Sequence, residues 1–97
     1  MPVPLERSEI SQHEVRVYQL LSTHSERWFT NAQLATELSM STRTIRLHTL
    51  RFVRLGLVDQ AEVFPAHRYR WSEKSDKRNI AYMQRLKQAV EVFASSS

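Results

Sequence analysis

The residues best equipped for chemistry are arginines at helical spacing in a stretch without acids. Arg43, Arg46, Arg51 and Arg54 fall between Glu37 and Asp59, and that interval holds no aspartate or glutamate. A guanidinium fork matches the paired acceptors of a guanine edge and the oxygens of a phosphate. Thr42, Arg43, Arg46 and Leu47 lie at the start of the stretch, off the apolar face marked by Ile45, Thr49 and Phe52. Those two arginines suit bidentate base contact, or else form a solvated helix face. Leu47 suits either a thymine methyl or plain packing. Arg51 and Arg54, a turn or two later, suit phosphates, or the negative end of the helix dipole.

A second window, Glu62 to Glu73, has Arg68 and Arg70 as its only charged residues, with His67 adjoining. His67-Arg68-Tyr69-Arg70-Trp71 alternates basic and aromatic residues, so a strand there puts both rings on one face and both arginines on the other. Such arginines reach a minor groove or its backbone, or guard an edge strand against aggregation. Asn31, Gln33 and Ser41 sit where helix N-termini are expected and offer phosphate contacts, or serve only as caps. Trp28, Phe29, Tyr69 and Trp71 fit core and wing packing better than base stacking on single strands.

Other chemistries find little support. The chain has no cysteine, which removes disulfides, thiolate zinc sites and cysteine nucleophiles. His13, His24, His48 and His67 show no metal-ligand spacing, and a single glycine cannot build a phosphate-cradling loop. No nucleophile–base set is present. The expectation is a protein without catalytic residues, metal or cofactor.

These side chains must be positioned by a small fold. Ninety-seven residues at 41% hydrophobic suffice for one domain. The net charge of +4 is modest, and its segregation says more than its size. No signal-peptide core or membrane-length apolar run is visible, so a cytoplasmic protein with no membrane partner is expected. Residues 1–10 read as an arm. Ser11-Gln12-His13-Glu14 opens a helix over about 11–24. Trp28-Phe29 forms a short strand or core plug. Thr30-Asn31-Ala32-Gln33 caps a second helix, 31–38, and Ser41 or Thr42 caps a third running to Leu55. Gly56 stands where a helix end needs positive φ. A strand over 57–63, a turn at Phe64-Pro65-Ala66-His67 and a strand over 67–71 make a hairpin. Asp76 then caps a last helix, 76–94, with a frayed end at 94–97.

The predicted fold is mainly α with a small β-hairpin wing, a winged helix-turn-helix with an additional C-terminal helix. Its divisions are an arm at 1–10, the winged domain at 11–72 and the last helix at 73–97. The stretch from Thr30-Asn31-Ala32-Gln33-Leu34-Ala35 through Ser41–His48 to Leu55-Gly56-Leu57-Val58 resembles bacterial winged-helix regulators of the MarR-like and ArsR-like families. The resemblance covers about residues 10–72 and leaves the subfamily open. It implies that Ala35 lets the recognition helix pack closely, that Ile45 anchors it, and that Gly56-Leu57-Val58 leads into the wing. Ser39 departs from the glycine usual in the turn. Thr49 departs from a usual leucine, whose packing Leu50 or Phe52 must then supply.

Met83, Leu86, Val90 and Phe93 have the spacing of an a/d seam, widened by Ile80. This predicts a homodimer through the last helix, or else a helix folded back on its own chain. The functional expectation is a dimeric, sequence-specific binder of palindromic double-stranded DNA that represses transcription by occupying promoters. Two alternatives use the same fold: an accessory factor in plasmid or phage replication, partition or conjugation, and a protein–protein interaction module.

Overall fold

The computed structural model describes residues 10–63 and 66–95. Most of the arm, the first half of the hairpin turn and the last two serines lie outside the described residues. Ile10, the end of the expected arm, is buried in the core. Helix α1 spans Gln12–Thr23. Its N-terminus is fixed by Ser11, whose hydroxyl accepts from the Glu14 N–H at 3.1 Å, satisfying an otherwise orphaned donor.

Helix α2, Asn31–Leu38, opens with the full capping box. Thr30 Oγ1 accepts from Gln33 N at 3.1 Å, and Gln33 Oε1 accepts from Thr30 N at 2.9 Å. The turn that follows is made by Ser39 in the left-handed region, φ 56°. Met40 N donates to Ala35 O at 3.0 Å and closes it. Helix α3, Thr42–Leu55, is capped by Ser41, which accepts from Thr44 N at 3.1 Å. It ends at Gly56, φ 79°, where an added Cβ would also come within 3.2 Å of Arg78 Cδ.

Strands β1 (Val58–Val63) and β2 (Ala66–Trp71) form an antiparallel hairpin, with Val58 opposite Trp71 and Val63 opposite Ala66. Phe29 adds a third, one-residue strand: it exchanges two 2.8 Å backbone bonds with Tyr69. Phe29 is also fully buried, so it is strand and core plug at once. The core gathers where α1, α2, α3 and the base of the hairpin meet. Val17, Leu21, Leu34, Ile45, Phe52 and Leu57 are sealed there. Trp71 packs its ring against Tyr18 at 5.1 Å and edge-on to Phe52 at 5.9 Å.

Beyond the hairpin the chain departs from expectation. One helix from Asp76 is replaced by a short turn of helix, α4 (Ser75–Arg78), and a longer α5 (Ile80–Ser95). The break is Asn79, whose backbone (φ −150°, ψ 77°) is not helical. Its Oδ1 accepts from Tyr82 N at 3.2 Å, and its Nδ2 donates to Leu55 O at 3.5 Å. Asn79, not Asp76, therefore caps the last helix, and Asp76 instead pairs with Lys87 at 3.2 Å. Helix α5 folds back on α1, burying Tyr82, Met83 and Leu86.

Candidate nucleic-acid interface

The two faces of α3 have different jobs. Ile45, Thr49 and Phe52 are fully buried. Thr49, in place of a leucine, donates from Oγ1 to Asn31 Oδ1 at 2.9 Å. This satisfies a buried hydroxyl and ties the start of α2 to the middle of α3. Phe52 supplies the missing packing, while Leu50 faces out, 40% exposed. The outward face carries Arg43, Arg46, Leu47, Leu50 and Arg54, all exposed. Neither Arg43, Arg46 nor Arg54 meets a carboxylate among the described residues.

Arg43, Arg46 and Leu50 form one wall of an open groove whose opposite wall is the hairpin, through Gln60, Ala66, His67 and Tyr69. The N-terminal ends of α2 and α3, with Asn31 and Thr42, close its floor. Gln33 and Ser41 lie near these ends but are engaged in caps; the Ser41 hydroxyl also donates to Thr44 Oγ1 at 2.9 Å. Gln33 keeps two amide donors beyond its capping bond. The groove thus combines two helix N-termini with two arginines, all favouring negative charge.

Other expected contacts are placed elsewhere. Arg70 lies on the outer face of the hairpin, its guanidinium 4.4 Å from the Trp28 ring centre and 3.6 Å from Asp59. Asp59 also meets Arg78 at 3.5 Å, so Arg70 belongs to a separate mixed-charge hollow with Glu26 and Glu73. Arg68 shares its face and is half-buried. The alternation that put both arginines on one strand face holds, but the groove is on the other. His67 and Gln60 are the hairpin's polar groups there, joined at 3.2 Å. The sequence groups His67 with the arginines and gives Gln60 no role, although the alternation itself places His67 with Tyr69.

Arg51 also turns away from the groove. Its Nε is 4.0 Å from Glu14, and its guanidinium lies 6.0 Å from the Tyr82 ring centre. Glu14 is buried at the junction of α1 and α3, with His48 Nδ1 3.9 Å away. Burial lowers the His48 pKa below its ordinary value, aided by the charges of His13 and Arg51. Glu14 would favour the charged ring but stands beyond hydrogen-bond reach, and the desolvation wins. His48 is accordingly a neutral, inward-facing group near pH 7.

Of the expected dimer residues, Met83 and Leu86 are buried within the chain, while Val90 and Phe93 are half-buried and Ile80 is 62% exposed. No group of three or more His, Asp or Glu residues able to hold a metal occurs among the described residues. No helix there is long and apolar enough to cross a membrane.

The sequence matches no protein-family model and no curated protein sequence. Its structure, by contrast, matches solved transcription regulators. A Staphylococcus aureus regulator of a multidrug efflux pump, MepR, superposes with a TM-score of 0.61 over 96% of this chain and 70% of that one, at 15% identity. A MepR–DNA complex gives 0.61, over 95% and 77%, at 14% identity. A possible transcriptional regulator from Methanosarcina mazei gives 0.62, over 91% and 73%, at 13% identity. At such identities the likeness establishes the fold, and that fold is the winged helix-turn-helix.

Proposed function

We propose that the chain binds duplex DNA sequence-specifically as a transcriptional regulator, with α3 as the recognition helix in the major groove. The observation that carries this reading is the pair Arg43 and Arg46. Both are exposed at the start of α3, both border the groove, and neither is neutralised by a carboxylate among the described residues. Thr42 and Leu47 flank them on the base-facing side. Asn31, Gln33 and Ser41, at the α2 and α3 N-termini, and Arg54, at the far end of α3, serve the phosphates. Arg68 and Arg70 then contribute to the surrounding field rather than to base readout. That a solved relative in fold is held in complex with DNA supports the same reading.

The finer reading is a homodimer on a palindromic site, repressing by occupancy of a promoter in the cytoplasm. With Met83 and Leu86 committed to the chain's own core, pairing would rest on Ile80, Val90 and Phe93. Two recognition helices in such a dimer fall about 34–36 Å apart, one turn of DNA. The test is a titration of duplexes, selected from a random pool, at several salt concentrations. A log K that falls steeply with log[salt] supports DNA binding. Weak binding with no slope leaves the fold as a protein–protein module. A palindromic consensus identifies the dimer, and the position of matching sites, beside promoters or repeated at an origin, separates regulator from replication factor.

A further inference from the structure

The outward face of α3 is not uniformly polar. Leu47 is 66% exposed and Leu50 40% exposed. With Arg43 and Arg54 they form a stripe at i, i+4, i+7 and i+11, adjacent side chains on one helix face. Arg46 stands beside the stripe, one turn before Leu50. Leu47 therefore does not pack in the chain, and Phe52 already supplies the packing that Leu50 was expected to share. Two leucines make too small a patch for a stable protein interface, which buries about 800 Å² per partner. Their surroundings are cationic, with no acid from residue 38 to residue 58.

The occupant must therefore be a polyanion that presents isolated apolar groups at the scale of one side chain. Duplex DNA does this in its major groove, where the thymine 5-methyl is the apolar feature among the base edges. Resting on the proposed DNA reading, we infer that Leu47 and Leu50 read thymine methyl groups beside the bases contacted by Arg43 and Arg46. Specificity on this helix then has two parts. The arginines select guanine by hydrogen bonding, and the leucines select thymine by burying its methyl.

The experiment uses the full chain and the duplex selected from a random pool, prepared with thymine or with deoxyuridine at one position at a time. Deoxyuridine keeps Watson–Crick pairing and removes only the methyl. Affinity is expected to fall about fourfold at each contacted position, the value of burying one methyl-sized group. In Leu47→Ala and Leu50→Ala, both at exposed positions that leave the core intact, each variant should lose the thymine–uracil difference at one position and keep it at the other. Equal affinity for every uracil duplex overturns the inference and leaves DNA binding standing. So does a full thymine preference in both alanine variants, which would place the methyl contacts elsewhere. Absence of salt-dependent binding to the thymine duplex itself fails the DNA reading first, and this one with it.

Discussion

Arg43 and Arg46 on α3 and Arg68 and Arg70 on β2 are pairs of one residue type, each in an acid-poor stretch of sequence. The fold gives them different surroundings. The α3 pair stands clear beside a groove, whereas Arg70 is held between the Trp28 ring and Asp59. Whether an arginine is available to a ligand is decided by groups brought to it from other parts of the chain. Acid-poor neighbours in sequence do not ensure acid-poor neighbours in space: Asp59 is opposite Arg70 across the hairpin.

The largest effect should come from Arg43→Ala with Arg46→Ala. At about 1–3 kcal/mol for each bidentate pair, affinity for the selected duplex should drop at least about thirtyfold in fluorescence anisotropy, with loss of sequence preference. Arg70→Ala should change that affinity by less than about threefold and instead cost roughly 0.5–1 kcal/mol in urea unfolding, the size of an exposed cation–π contact. Lys87→Ala, far from the groove and paired with Asp76, should behave like Arg70→Ala in binding. Comparable losses at all three sites would break the comparison.

Asp59→Asn sharpens it from the other direction. Removing the carboxylate that holds Arg70 frees that arginine for a phosphate, and the slope of log K against log[salt] should steepen by about 0.9, one contact's worth. An unchanged slope would mean that Trp28 and the hollow with Glu26 and Glu73 keep Arg70 away without Asp59. Ser39→Gly touches neither pair and should act on stability alone. It relieves about 1–2 kcal/mol of left-handed strain against about 0.4–1 kcal/mol of added unfolded-chain entropy. A net gain of roughly 0.5–1 kcal/mol in urea unfolding, with DNA affinity unchanged, is expected.

On the inward side of the same helix, His48 should make stability depend on pH. Its folded-state pKa is lowered, so below the ordinary value of 6.5 the unfolded chain takes up the proton more readily. Its stabilising contribution is complete above pH 6.5 and declines as pH falls through that value toward the folded-state pKa. The urea midpoint should fall over that window, and His48→Gln should flatten the decline. An identical decline in the variant would assign it to other groups.

Much of this architecture was legible in the sequence because its punctuation is local. Thr30 with Gln33, Ser41 and Gly56 act within three or four residues of themselves, and the bounds of α2 and α3 follow from them. The break before α5 was not legible, since Asn79 owes part of its role to Leu55 O, 24 positions earlier. The groove shows the same division. The exposure of Arg43 and Arg46 follows from the apolar face of their own helix. The diversion of Arg70 depends on Trp28, and that of Arg51 on Glu14 and Tyr82, all distant in sequence. Leu50 was readable only in half: its spacing gave two candidates to replace a leucine at position 49, and packing chose Phe52.

The junction before α5 has a mechanical consequence. Arg78 donates to Gly56 O at 3.3 Å and Asn79 to Leu55 O at 3.5 Å, so two carbonyls at the end of α3 are held from the root of α5. Both bonds are long, yet they join the two helices at one place. The last helix is thus moored, through the two residues that precede it, to the end of α3 opposite Arg43.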